Sequence, residues 1–180
     1  VVMPAFNAQD YAEEAIKSVL LQTVKNWELI IVDNASTDKS LEIFKKYEKI
    51  DSRIKVIKHK KNKGAAASRN TAIKNTNQNS KLVFMLDSDD MLLPEALCEQ
   101  KKFMDLNPVA SVVGCLAEYL DAKGEVFGKS SSSFYTRSDF DKLLKNRKNI
   151  GMMHSGACFN KEIFNKLGGY DTSKRFLDDM

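Results

Sequence analysis

Three carboxylates fall within four positions at Asp87-Ser88-Asp89-Asp90, directly behind the apolar run Leu82-Val83-Phe84-Met85-Leu86. Ionised carboxylates this close repel one another. A divalent cation among them removes the repulsion, and hard oxygen ligands select Mg2+ or Mn2+. Such a cation bridges to a diphosphate and stabilises it as a leaving group. The plainer reading is a helix N-terminus, with Asp89 or Asp90 capping a helix near Pro94. Capping accounts for one aspartate and not for three.

Other residues of the same kind follow other apolar runs. Asp33 ends Glu28-Leu29-Ile30-Ile31-Val32. It reads equally as a turn former bonded to its own backbone and as an acceptor of hydrogen bonds from a base or ribose. Phe6, beside Asn7, is either core filler or a ring that stacks on a nucleobase. Arg69 lies one helical turn past Ala65-Ala66, where small residues permit close approach; its alternatives are the binding rim and a surface salt bridge. His154 lies in a loop before a late strand, and a lone histidine is more often structural or exposed than functional.

The elements that must position these residues alternate. A strand tail at Val1-Val2-Met3 is followed by a helix over about Tyr11 to Gln22, with Asp10 as its N-cap. Glu28 to Asp33 has the continuous apolar character of a strand covered on both faces. Ser36 or Thr37 caps a helix with the stripe Leu41, Ile43, Phe44 and Tyr47. Ile54 to Ile57 is a third strand, Gly64 opens a helix over Ala65 to Lys74, and Leu82 to Leu86 is a fourth strand. Pro94 is expected in the first turn of the next helix. This order predicts an α/β fold, a largely parallel central sheet with helices on both faces. Ligands bind such sheets beyond the carboxyl ends of the strands, where the acids, amides and aromatic ring gather.

After about Asn107 the rhythm changes. Val109 to Leu120 reads as one long strand, Asp121-Ala122-Lys123-Gly124 as a turn, and Ser130 to Ser133 as a short polar loop. A helix is expected over Arg137 to Leu144, a strand over Ser155 to Phe159, and a short helix over Lys161 to Leu167 closed by Gly168-Gly169. The whole of 1–180 reads as a single domain, with 1–107 its nucleotide-binding half and 108–180 its acceptor-side half. Both ends read as interrupted, since Val1 already stands inside a strand and no closing element precedes Met180.

The net charge of +4 is mild, with lysines and acids interspersed, which argues against a dedicated nucleic-acid binder. The densest basic run, Lys58 to Lys63, reads as a solvated loop, or as a surface for phosphates or an anionic membrane. Cys98, Cys115 and Cys158 are widely spaced, with neither disulfide nor zinc spacing, and read as reduced, mostly buried thiols. No apolar run approaches the roughly 18 residues that span a bilayer.

Four segments together resemble the successive signatures of inverting family 2 glycosyltransferases: Val2 to Asn7, Glu28 to Asp38, Asn62 to Asn70 and Phe84 to Asp90. The resemblance implies a GT-A fold and transfer of a sugar from a nucleotide-diphosphate donor, a UDP-sugar before a GDP-sugar, to an acceptor hydroxyl. A saccharide or lipid-linked acceptor in polysaccharide or glycoconjugate synthesis is expected. It further implies that Asp33 contacts uracil, with Pro4, Phe6, Asn7, Gly64, Arg69 and Ser88 on the nucleotide side and Asp87 at the ribose. Asp89 would anchor Mg2+ or Mn2+ on the diphosphate. The family's Glu-Asp pair is matched by Asp178-Asp179, a departure at its first position; Asp179 is then the general base, with Asp178 and His154 on the acceptor side. Donor supply and free thiols suggest a cytoplasmic location, with peripheral association at the inner membrane face. The competing readings are a nucleotidyltransferase, weakened because no Gly-rich phosphate loop with a lysine is present, and a non-catalytic nucleotide-sugar-binding domain.

Overall fold

The computed structural model describes residues 1–130 and 153–173, with Ser138, Asp141, Lys142, Lys145 and Asn146 between them. The first half alternates β1 (Val2–Ala5), α1 (Ala12–Leu20), β2 (Leu29–Asp33), α2 (Ser40–Ile50), β3 (Ile54–Lys58), α3 (Ala65–Lys74), β4 (Leu82–Phe84) and α4 (Ala96–Leu106). The second half adds β5 (Val112–Val113), β6 (Glu118–Leu120), β7 (Val126–Lys129), β8 (Cys158–Asn160) and α5 (Lys161–Lys166).

Strands β1, β2 and β3 pair in parallel, with Ala5 opposite Asp33 and Asp33 opposite Lys58. A parallel bridge between Val2 and Met85 carries the sheet on to β4. There β8 pairs antiparallel with both β4 and β5. The spatial order is therefore β3-β2-β1-β4-β8-β5, and β6-β7 form a separate hairpin. The sheet is mostly parallel, as the alternation predicts, with the last strand to arrive inserted between β4 and β5.

Every residue of β2 is buried, because both faces of the sheet are covered. Leu29 and Ile31 pack with Ile16 and Val19 of α1 and Phe44 of α2. Ile30 and Val32 point the other way, to Ala72 and Ile73 of α3. Full burial of each such side chain contributes roughly 1.5–3 kcal/mol. On α1, Ala12, Ala15, Ile16 and Val19 are buried at the spacing of a single helical face.

Several expectations are corrected. The span from Val109 to Leu120 is not one strand: Val112–Val113 and Glu118–Leu120 flank an irregular segment. In that segment the Cys115 side chain packs against Gly156, and the Ala117 N–H donates to the Ser130 hydroxyl. The N-cap position of α1 is Tyr11 rather than Asp10, without a side-chain cap bond. Helix α2 starts at Ser40, and Asp38, not Ser36 or Thr37, accepts the Ser40 N–H. Pro94 precedes α4 rather than lying in its first turn. The late strand is Cys158–Asn160 rather than Ser155 to Phe159. Of the cysteines only Cys158 is buried, its thiol pushed up to about 12 by burial, while Cys98 and Cys115 are half-buried. The helix expected over Arg137 to Leu144 falls mostly outside the described residues.

Candidate functional site

The carboxyl ends of β1, β2 and β4 and the start of α3 surround a cleft of about 840 Å³, within the range of small-ligand sites. Its lining includes Pro4, Phe6, Asn7, Gly64, Arg69, Asp87, Ser88, Asp89 and His154. Nine of the predicted site residues thus converge although they come from four segments of the chain.

Two loops form one wall. The Asn7 N–H donates to the Ser36 hydroxyl, and Asn7 Oδ1 accepts from the Thr37 N–H. The Ala8 N–H donates to Ser40 Oγ at 2.7 Å. Asn7 and Ala35 both have positive φ, 52° and 67°, a conformation uncommon outside glycine. These side-chain to backbone bonds keep the loops in it. Phe6, 48% exposed, is left as a ring open to the cleft.

Asp33 is fully buried. Its Oδ1 accepts the Ser36 N–H at 3.2 Å, the turn-forming arrangement, while Oδ2 is buried without a hydrogen-bond partner. Oδ1 thus makes the turn expected of an aspartate after a strand, and Asp33 itself is not among the residues that line the cleft. Beside it Asn34 Oδ1 accepts the Lys63 N–H and faces His59 Nδ1 at 3.0 Å. Asn62 Oδ1 accepts from Asn34 Nδ2 and from the Gly64 N–H. The basic run is thus solvated at its lysines and anchored at His59, which is 5% exposed. Burial, then the Lys63 charge, lowers the His59 pKa against the opposing pull of Asp33.

The three aspartates of the acidic turn diverge. Asp87 Oδ1 accepts from Arg69 Nη2 at 2.9 Å, a pair largely withdrawn from solvent. The Asp87 N–H donates to Ser155 Oγ at 3.0 Å, and the Ser155 hydroxyl also bonds the Asp90 carboxylate. Burial raises the Asp90 pKa; the Ser155 bond opposes the rise, and the charges of Asp89 and Asp87 add to it. The Asp90 N–H closes a turn on Asp87 O, and α4 begins only at Ala96, so neither Asp89 nor Asp90 is a helix cap. Asp89 alone is exposed in the cleft lining. Among the described residues no three His, Cys, Asp or Glu side chains converge as a metal cluster. A single accessible carboxylate still fits Mg2+ or Mn2+, which takes one or two carboxylates and completes its shell with water and substrate phosphates.

His154 lines the cleft with Nε2 2.8 Å from the Tyr170 hydroxyl, whose pKa burial pushes up to about 12. Asp178 and Asp179 lie outside the described residues. Sequence reasoning assigned no role to Tyr11, Asn62 or Ser68, which also line the cleft, nor to Ser155. Asn62 carried a signal, two residues before a glycine that opens a helix. Ser155 carried none, because Asp87, whose N–H it accepts, is 68 residues away.

A polar cleft at the carboxyl ends of parallel strands is the ligand site of an open α/β sheet. The chain belongs to Glycosyl transferase family 2, whose model matches residues 1–168. The UDP-Glc:alpha-D-GlcNAc-diphosphoundecaprenol beta-1,3-glucosyltransferase WfgD of Escherichia coli is 36% identical over 146 residues, 81% of this chain and 54% of WfgD. The structure of S. aureus TarS 1-349 in complex with UDP-GlcNAc superposes with a TM-score of 0.71 at 22% identity, over 94% of this chain and 47% of that one. The mannosyltransferase PcManGT of Pyrobaculum calidifontis, in complex with GDP-Man and Mn2+, gives 0.70 at 19%, over 95% and 46%. These likenesses show the GT-A fold. The chain spans between 17% and 57% of the lengths of the first curated relatives it matches.

Proposed function

We propose that this chain is the donor-binding and catalytic region of a metal-dependent inverting glycosyltransferase. It transfers a sugar from a UDP-sugar, with a GDP-sugar as the alternative donor, to a hydroxyl of a saccharide or lipid-linked acceptor in polysaccharide or glycoconjugate synthesis. The observation that carries this reading is one cleft lined by the Arg69–Asp87 pair and the accessible Asp89 carboxylate, with the unpartnered oxygen of Asp33 buried directly before the lining residue Asn34. Family membership supports it, as does the donor chemistry named for WfgD, TarS and PcManGT.

In this reading Asp33 Oδ2 accepts from the base, Phe6 stacks on it, and Pro4, Asn7, Gly64 and Ser88 shape its pocket. Asp87, held by Arg69 and Ser155, takes the ribose hydroxyls. Asp89 holds Mg2+ or Mn2+, which when bound offsets the diphosphate charge and favours its departure. Asp179 accepts the proton of the acceptor hydroxyl as that oxygen attacks the anomeric carbon, and His154 and Asp178 stand on the acceptor side. The C–O bond to the diphosphate breaks on the opposite face, so the configuration inverts. A base and a metal ligand on opposite sides of the sugar have to come from different segments, and Asp89 and Asp179 do. Donor supply places the reaction on the cytoplasmic side, at the inner membrane face when the acceptor is lipid-linked.

Calorimetry with UDP and GDP, with and without MnCl2, tests the reading. Binding strengthened at least tenfold by Mn2+ is expected, and Asp89→Ala should lose that increment. Absence of metal-dependent binding of either nucleotide overturns it.

A further inference from the structure

Helix α3 presents two neighbouring residues to two different parts of the molecule. Arg69 faces the cleft and the Asp87 carboxylate. Asn70, one position further round the helix, spends its whole side-chain amide on the backbone of a single distant residue. Asn70 Oδ1 accepts the Tyr170 N–H at 2.9 Å, and Asn70 Nδ2 donates to the Tyr170 carbonyl at 2.8 Å. One side chain thus pairs both backbone groups of a residue 100 positions away, as a neighbouring strand would.

The approach is close enough to require glycine beside it. Gly169 has φ of +84°, and a Cβ there would fall 2.8 Å from Asn70 Oδ1. Tyr170 itself is not a surface residue. Its ring packs on Phe164 at 5.2 Å, against the core of Ile30, Val32 and Ile73. From there its hydroxyl reaches His154 in the cleft wall. The next residue, Ser155, holds the Asp87 N–H, and Asp87 returns to Arg69. The contacts close a ring: Arg69, Asp87, Ser155, His154, Tyr170, Asn70 and back along α3.

We propose that Asn70 is a positioning residue that locks the acceptor-side segments 153–156 and 168–171 to the donor-side helix, so that nucleotide in the cleft tightens the backbone at Tyr170. The proposal rests on the reading that the cleft binds a nucleoside diphosphate. Asn70 touches neither substrate in this scheme. It acts through Tyr170 and His154, using a rigid amide whose donor and acceptor sit on separate atoms; a hydroxyl carries both on one oxygen, an ionised carboxylate only accepts and an aliphatic side chain does neither.

The Tyr170 amide hydrogen reports the lock directly, because it is the hydrogen Asn70 accepts. In hydrogen–deuterium exchange, UDP with MnCl2 should slow exchange at Tyr170 at least tenfold in the unaltered chain. In Asn70→Ala, exchange at Tyr170 should be at least tenfold faster without nucleotide and indifferent to it, while the Kd for UDP stays within threefold. A residue that merely stabilised the fold would change exchange equally with and without UDP. Gly169→Ala, whose Cβ meets the Asn70 amide from the other side, should uncouple Tyr170 in the same way and serves if Asn70→Ala does not fold. Bound UDP that leaves Tyr170 exchange unaltered overturns the lock, as does a loss of UDP affinity beyond threefold in Asn70→Ala. Failure of UDP and GDP to bind at all is a separate result, read by calorimetry, and removes the nucleotide reading on which the lock depends.

Discussion

Asp33 has one carboxylate oxygen that stabilises its own loop and a second that is buried with nothing to bond. A buried unsatisfied acceptor costs about 1–3 kcal/mol. Asp33→Asn keeps an oxygen for the Ser36 N–H while removing the carboxylate. It should therefore fold with equal or higher stability in urea titration, yet bind UDP at least tenfold more weakly. His59 makes a second prediction. Its pKa is lowered by burial and Lys63, so the folded state favours neutral imidazole. The stability this contributes is fully present above the unfolded value of about 6.5 and is lost as pH falls through the folded value. His59→Gln should accordingly flatten the decline in Tm between pH 7 and pH 5. At this scale the acidic turn is readable from the sequence, and the resemblance gives Asp87 and Asp89 different roles, but the contacts that tell the three aspartates apart are not. Asp87, Asp89 and Asp90 are near neighbours in the chain, and only their partners Arg69 and Ser155 separate them in the structure.

At the scale of elements, the site depends on loops held by side chains from their neighbours. Ser40, at the start of α2, accepts the buried Ala8 N–H that follows β1. Ser40→Ala leaves that donor unpaired, and should cost about 1–3 kcal/mol of stability with weaker UDP binding, measured by denaturant titration and calorimetry together. Gly64 enters α3 with φ 83° and ψ 164°, a region essentially confined to glycine. Gly64→Ala meets no steric neighbour, so its cost is backbone strain of about 1–3 kcal/mol. Since α3 carries Arg69, nucleotide affinity should fall as well. The strands and helices of the first half were legible because their hydrophobic periods are strong and their glycine falls where a helix begins. The span from Val109 to Leu120 reads as one strand because its mostly apolar residues, interrupted only by Ser111, Gly114 and Glu118, do not reveal where tertiary contacts bend the chain. There Cys115 folds in against Gly156.

At the scale of the molecule, the donor-side and acceptor-side groups proposed above come from opposite ends of the sequence. Replacing Asp179 with Asn should abolish transfer, read as release of UDP from a UDP-sugar in the presence of acceptor, with nucleotide affinity changed less than threefold. The two halves meet because β8 enters the sheet between β4 and β5, which brings His154 and Ser155 to the edge of the acidic turn. Exposed apolar side chains recur from α4 through β7, at Phe103, Leu106, Val109, Leu116 and Phe127. No helix of the described residues is long and apolar enough to cross a membrane.

What the sequence determined by itself was the alternation of elements, the burial of β2 on both faces and the acidic rim at the strand ends. These follow from local hydrophobic period and from the geometry of any parallel sheet. The tertiary structure alone decided which aspartate pairs with Arg69, which turns its carboxylate to Ser155 and which stays exposed in the cleft. It also decided that Asn70 reaches Tyr170. Those outcomes depend on contacts between residues 18 to 100 positions apart, and hydrogen-bond geometry at such separations has no periodic trace in the chain.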